Sequence, residues 1–438
     1  MNENRNFYTP TNILAQAISL PKFPEFNAKS MENVMYKTTR SFFTLIALLV
    51  LFSTLAGTAS AAQPTPKAKW TVMVYMSGDN NLENYVVKDI EEELGLVGSN
   101  ADIKILALAD RGPGYDTSRG DWQTTKLFKV KQGMKANSRE AVADWGERDM
   151  GDPQTLIDFV IWSKKNYPAA HYALYFWGHS WNWEPGWTMR DYTTNQDTLD
   201  YDTLDYGEIK AALKFLHSID MDFIDMVGFD GCNMASIEIY KLWQGHATAV
   251  AASEDYVNWN GIEYDVVLSQ LVANPDMTAD QVAMASAQSA IIQGGEKTFS
   301  AVAVDDRLDA LLDAVDEFAL ALNNGLAEYR KQYRLAFGET SHMWKAKMDK
   351  DLYDMAYEIN RLVSDPDIQS KSQSVMNAID SVVLWEGHAN DYKDVYGITI
   401  NQISKASVTH EDYDYYRSTI DFALQSAWDE FLDAYARL

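Results

Sequence analysis

Cysteine is almost absent from this chain. Cys232 is the single example in 438 residues. No internal disulfide can form, so the core alone must hold the fold together. A zinc site is poorly supplied as well, with seven scattered histidines, no HExxH and no CxxC. The GxSxG elbow of serine hydrolases is missing. Basic residues are few: 37 Lys and Arg stand against 63 Asp and Glu, a net charge of -26. A nucleic-acid binder must neutralise phosphates with Lys and Arg, so that class is excluded. Cationic peptides or proteins are the partners such a field attracts. Long apolar runs are lacking too. The best candidate, Phe42 to Leu55, is too short to span a bilayer comfortably, and no membrane span is expected in the mature chain.

What is present is a well-packed globular composition, 47% hydrophobic with 12% aromatics. Residues 37–61 read as a secretory signal peptide: Lys37 and Arg40, the apolar run, then Ala59-Ser60-Ala61 as a small-residue cleavage site. Its removal, with residues 1–36, takes away five basic and three acidic residues and leaves a charge near -28. Residues 1–36 fit no signal pattern, and Met31 or Met35 would be a more natural start. The expected location is secreted or cell-envelope.

Apolar stretches and turn residues alternate along the rest of the chain. Strands are predicted at Trp70 to Met76, Asp102 to Asp110, Thr124 to Val130, His171 to His179, Ala247 to Ser253 and Phe299 to Val304. Helices are predicted from about Leu82 to Leu96, from Pro153 to about Asn166 with Asp152 as N-cap, and around Gly207 to Leu216. This alternation predicts an α/β fold, a largely parallel sheet with helices on both faces, over residues 68–305. Residues 306–438 read as a mainly helical C-terminal subdomain. It has helical periodicity over 307–336 and 349–363, short strands near 379–385 and 396–403, and a final helix near 413–437. Residues 181–207 fit no period and read as a long loop.

The stretch Asp222 to Ala235 holds the lone cysteine. It reads as a short buried strand, then Asp230-Gly231-Cys232-Asn233, then a helix from Met234. A side chain there lies at the carboxyl end of a strand, where ligands gather in open α/β sheets. A helix N-terminus would also lower the pKa of a thiol. The plain alternative is a buried structural cysteine. A thiol nucleophile needs a base, and His179 ends the preceding predicted core strand. If the two strands are neighbours, His179 and Cys232 project from one edge. The remaining histidines fall at helix ends, turns or the C-terminal part.

Phe229-Asp230-Gly231-Cys232-Asn233-Met234-Ala235-Ser236-Ile237-Glu238 resembles the nucleophile segment of the clostripain family of cysteine peptidases (clan CD, caspase-like fold). Trp70 to Asn81 with Leu82-Glu83 resembles that family's opening strand, and Ala252-Ser253-Glu254 its segment after the cysteine. The similarity runs in order over residues 68–305. It continues through Asp351-Leu352-Tyr353-Asp354-Met355-Ala356 and Tyr396-Gly397-Ile398-Thr399-Ile400. The resemblance implies an endopeptidase acting on peptides or proteins, with His179 and Cys232 as the catalytic dyad and the backbone N–H groups of Ser180 and Cys232 as oxyanion donors. It places Asp230 in the pocket for the residue before the scissile bond, implying preference for Arg or Lys there. A second acid is expected from the loop after Ser253, with Glu254, Asp255, Glu263 and Asp265 as candidates. The family also implies zymogen processing between histidine and cysteine, and Arg190 is the one basic residue in the 181–209 loop.

Two departures stand out. The family's glycine after the histidine is Ser180 here, and Asn258-Trp259-Asn260-Gly261-Ile262-Glu263-Tyr264 lacks the usual Pro-Gly and Gly-Trp elements. The altered loop implies a different specificity pocket, and the loss of the glycine favours a second reading, a catalytically weak or inactive binding protein on the same fold. No cofactor or metal ligand set is expected from the residues, and the need for calcium is left open. Some relatives use calcium, but the acidic Asp197 to Glu208 stretch lacks EF-hand spacing and reads as a solvated loop.

Overall fold

The apolar stretches pair into one large sheet. The computed structural model describes residues 67–186, 188–192, 202–341, 343, 348–402 and 410–437. The signal-peptide reading of 37–61 and residues 197–201 of the acidic stretch lie outside them. The strands are β1 (Ala68–Met76), β2 (Ile103–Ala109), β3 (Lys126–Lys129), β4 (Ala143–Asp144), β5 (Ala169–Trp177), β6 (Ile224–Asp230), β7 (Ala247–Ala252), β8 (Thr298–Ala303), β9 (Asp349–Asp351), β10 (Val383–His388) and β11 (Thr399–Asn401). Nine of them form a sheet in the order β10-β8-β7-β6-β5-β1-β2-β3-β4. The centre, from β7 through β6, β5 and β1 to β2, is parallel. Both flanks turn antiparallel, at β8 and β10 on one side and β3 and β4 on the other.

Parallel strands need crossovers that cover both faces, which is why β1 is buried at every position except Lys69. Met73 and Tyr75 face one layer, built from helices Pro153–Asn166, Tyr206–Ser218, Ile237–Trp243 and Asp309–Glu339. Trp70, Val72, Val74 and Met76 face the other, with Glu83–Lys88, Tyr264–Ala273 and Ala279–Ile292. The expected cap forms: Asp152 accepts the Gln154 N–H ahead of Pro153.

The C-terminal elements differ from the pattern read in the sequence. A helix at Pro366–Val382 occupies part of the stretch expected to be strand, and Asp365 caps it with Pro366 at its first position. The strand begins only at Val383, and it joins the main sheet beside β8. Residues 349–351 are strand β9 rather than helix, paired with β11. The final helix is broken into His410–Thr419, Asp421–Gln425 and Trp428–Arg437. This region docks on the cysteine segment: Thr399 donates its N–H to Ala235 O at 2.9 Å, and Asn401 to Glu238 Oε1 at 3.0 Å.

Register places the site. Met76 pairs with both Ala109 and Trp177, and Trp177 pairs with Asp230. The loops that leave β1, β2, β5 and β6 therefore emerge side by side at one edge.

Burial leaves many carboxyls in apolar surroundings. It pushes Glu93, Glu238, Glu296 and Asp351 each up to about 7. A carboxyl raised in the folded state contributes stability that is complete below its unfolded value and is lost as pH rises through the folded value. The thermal midpoint should therefore fall as pH is taken from about 6 to about 8.5. A calorimetric midpoint that climbs over that interval would contradict this.

Candidate active site

Two short turns build the site. β5 ends at Trp177 and passes through Gly178, at φ 147°, to His179. β6 ends at Asp230 and passes through Gly231 to Cys232. The Gly178 N–H donates to Asp230 O at 3.2 Å, tying the turns together. His179, Cys232 and Asp230 line one cavity of about 380 Å³.

The cysteine turn is clamped on both sides. Asn233 takes a left-handed backbone at φ 58°, a conformation Asn tolerates better than most residues. It donates its N–H to Asp255 O and its side-chain amide to Glu254 O, both at 3.0 Å. From the other side the Ser180 hydroxyl donates to Cys232 O at 2.8 Å. Gly231 makes room for that contact, because a Cβ there would lie 2.2 Å from Ser180 Oγ. The serine that replaces the family's glycine thus has a defined role in holding the turn.

Electrostatics at the pair differ from the expectation of a helix-stabilised thiolate. The helix starts only at Ile237, capped by Ser236, so Cys232 lies outside its first turn. Burial pushes the Cys232 thiol up to about 11, with the carboxylates of Asp255, Glu296 and Asp230 adding to it. Burial also lowers His179 to about 4, and the Arg190 charge assists. Both groups are neutral near pH 7. His179 donates Nε2–H to Asn81 Oδ1 at 2.8 Å, which leaves Nδ1 as the basic nitrogen. Asn81 was not singled out in the sequence; its signal was the Asp79-Asn80-Asn81 turn directly after β1.

Asp230 is buried in the cavity lining, and its Oδ1 accepts the Ile262 N–H at 3.1 Å. Burial raises its carboxyl well above the usual range. Gly261, at φ 63°, lies so close that a Cβ would sit 2.0 Å from Asp230 Oδ1. Glu296 fixes the same loop by accepting the N–H groups of Asn258 at 2.7 Å and Gly261 at 3.2 Å.

The four acids considered for a second pocket carboxylate are not among the cavity-lining residues. Glu254 accepts the Gly397 N–H at 2.7 Å, and Asp255 accepts the Tyr392 hydroxyl at 2.6 Å, so both anchor the C-terminal region. Glu263 and Asp265 start the helix Tyr264–Ala273. The carboxyls whose charge adds to the rise at Asp230 come from elsewhere in the sequence, Glu93 and Glu296.

Arg190 lies in a strap beside His179. Met189 donates its N–H to His179 O at 2.7 Å, and Arg190 O accepts from Ser77 Oγ and Asn80 Nδ2 at 2.7 and 2.8 Å. Past the strap, Asp79, Asp110, Glu147 and Asp191 bring one carboxylate oxygen each within 4.8 Å of one another. Asp110 is fully buried; its Oδ1 accepts from Thr125 Oγ1 and its Oδ2 has no hydrogen-bond partner among the described residues. This all-oxygen set suits a hard divalent cation. No helix among the described residues is long and apolar enough to cross a membrane.

A largely parallel sheet with a cysteine and a histidine at adjacent strand ends defines a caspase-like cysteine-peptidase architecture. The chain belongs to the clostripain family, whose model matches residues 74–435. It is 27% identical over 238 residues to clostripain of Hathewaya histolytica, a match covering 49% of this chain and 44% of that relative, so the aligned region spans less than half of the relative's length. Among solved structures it is similar to a secreted C11 cysteine protease of Bacteroides thetaiotaomicron in complex with an irreversible peptide inhibitor. The TM-score is 0.60 at 17% identity, over 83% of this chain and 99% of that one. It is also similar to an inactive zymogen C11 protease of Parabacteroides distasonis, with a TM-score of 0.58 at 18% identity over 82% and 99% of the two chains.

A thiol raised to about 11 holds only about one part in ten thousand as thiolate at pH 7. Alkylation of Cys232 by iodoacetamide should therefore accelerate about tenfold per pH unit, with no plateau below about pH 10. A plateau with an apparent pKa under 7 would mean that the resting enzyme holds a thiolate after all.

Proposed function

We propose that the protein is an exported endopeptidase cutting on the carboxyl side of Arg or Lys, with Cys232 as nucleophile and His179 as proton carrier. The observation supporting it best is that Cys232, His179 and the buried Asp230 line a single cavity. Because thiol and imidazole are both neutral at rest, His179 acts as a general base. Nδ1 takes the thiol proton as Sγ bonds to the scissile carbonyl carbon, and the carbonyl oxygen is held by the N–H groups of Ser180 and Cys232. The imidazolium then gives its proton to the departing amine, leaving a thioester. His179 next deprotonates a water that attacks the thioester; the acid leaves and Cys232 recovers its proton. Asp230 ionises against the cationic side chain before the scissile bond, a charge-assisted contact.

Export rests on residues 37–61. Self-processing after Arg190 belongs to the same reading. Because the Arg190 carbonyl accepts two hydrogen bonds, the strap must loosen first, and the cut is expected to be slow. The family chemistry needs no cofactor. We also propose that Asp79, Asp110, Glu147 and Asp191 hold a structural calcium ion, which would neutralise buried charge and tie the loops after β1 and β2 to the strap.

Cys232→Ala and His179→Ala should each abolish turnover of a basic peptide with the thermal midpoint unchanged. Asp230→Asn should lower kcat/KM for Lys and Arg peptides by about tenfold to a hundredfold. A Cys232→Ala variant that keeps most activity would disprove the dyad. A folded wild type that cleaves no peptide, yet binds basic ones, would favour the binding-protein reading. N-terminal sequencing of wild type and Cys232→Ala checks the processing: a new terminus at Asp191 is expected in the wild type alone.

Calcium should raise the thermal midpoint of the Cys232→Ala protein and give a one-to-one isotherm by calorimetry. Asp110→Asn should remove both effects. No heat and no shift at millimolar calcium would dismiss the site.

A further inference from the structure

A second cavity, of about 720 Å³, adjoins the one that holds Cys232 and His179. Tyr256 and Asn258, from the loop after β7, line both, so the two are joined through that loop. Its size lies within the roughly 300–1,000 Å³ of sites that enclose small ligands. Neither the dyad nor the recognition of a basic side chain uses it.

Strand order gives this cavity a direction. Along the edge that carries the site, His179 follows β5, Cys232 follows β6, and Tyr256 and Asn258 follow β7. Lys297 comes next, directly before the antiparallel β8, and Asp391 to Val395 follow β10. The second cavity therefore lies across Cys232 from His179. In the proposed mechanism His179 gives its proton to the departing amine, so the carboxyl-side half of a substrate leaves on the His179 side. The acyl half stays on Cys232, and its chain extends the other way, past the loop after β7.

The lining sets the chemistry. The Tyr392 hydroxyl donates to Asp255 Oδ2 at 2.6 Å, which leaves its ring as the lining surface. Val395 and Tyr392 belong to an apolar cluster with Met343 and Trp181, and Trp181 packs edge-on against Tyr256 with centroids 5.3 Å apart. The charged lining residues are of both signs, and Lys297 is paired with Asp391 at 3.3 Å, so no single charge is selected. Gly338, in the last turn of helix Asp309–Glu339, gives a wall without a side chain. A Cβ there would meet nothing within 4 Å. Its backbone is ordinary helix, a setting that glycine weakens, so what it supplies is open space.

We propose that this cavity is a substrate subsite for the chain on the amino side of the scissile bond, taking an apolar or aromatic side chain upstream of the basic residue. It rests on the reading that Cys232 and His179 cleave after such a residue. Binding energy gained there, away from the reacting bond, can be used to raise turnover as well as affinity.

The test uses reporters that release one fluorescent amine and carry a blocked Arg alone, Arg after a run of leucines, or Arg after a run of glycines. For the wild type, kcat/KM for the leucine reporter should exceed the other two by about tenfold, the scale of burying one apolar side chain. Gly338→Trp fills the cavity from a position with room for a side chain. It should lower the leucine reporter by about tenfold and leave the Arg-only reporter within about twofold, with Gly338→Ala close to wild type on both. Thermal melting confirms folding. A leucine reporter no better than the glycine one overturns the proposal, as does a Gly338→Trp variant that slows all three alike. So does a Gly338→Trp loss confined to peptides with leucines after the cut, which would put the cavity on the other side. A wild type that cleaves no Arg reporter removes the basic-residue reading alone. The leucine and glycine peptides are then compared by fluorescence anisotropy on Cys232→Ala, where tighter leucine binding that Gly338→Trp abolishes supports the subsite and equal affinities overturn it.

Discussion

Everything at the site depends on the parallel register of the central strands. Met76, Ala109, Trp177 and Asp230 lie across from one another along one line of the sheet. Because parallel strands all run the same way, the loops leaving them share one edge. His179 and Cys232, each two residues past a strand end, come to line one cavity for that reason. The same register brings Asn81, from the loop after β1, against His179, and Asp79 beside Asp110. A slip of one residue between β5 and β6 would turn every side chain to the opposite face and separate the pair.

Around this edge the structure uses buried carboxyls as backbone clamps. Glu296 and Asp230 hold the pocket loop, and Glu93 accepts the N–H of Tyr264. Glu254 and Asp255 hold the C-terminal region against the turn that carries the cysteine. A polar clamp in a dry setting is strong only when its partners are in place. The acidity that in composition suggested attraction of cationic partners thus also has a structural part, fixing loops that have no disulfide to hold them.

The neutral resting state of Cys232 and His179 follows from the same burial. The burial that raises the Asp230 carboxyl also disfavours a thiolate at Cys232. Ser180 fits this picture. Its hydroxyl restrains the cysteine turn, and Gly231 supplies the space that the hydroxyl needs.

The sequence by itself determined a good deal. The apolar runs located the central strands because a strand buried on both faces must be apolar along its length. The lone cysteine and a histidine, each read at a strand's carboxyl end, pointed to a candidate dyad, and ordered motifs pointed to the family. The sequence did not reveal Asn81, because an Asn in a turn is ordinary until a histidine is seen against it. Nor did it show which acid anchors which loop. Glu254 and Glu296 are chemically alike, and only the tertiary structure decides which backbone N–H each one meets. The helix at Pro366–Val382 had a legible cap in Asp365-Pro366, yet the apolar residues near its end are shared with β10 and read as one strand. Local pattern fixes which residues are buried; pairing across long separations in sequence fixes what they are buried against.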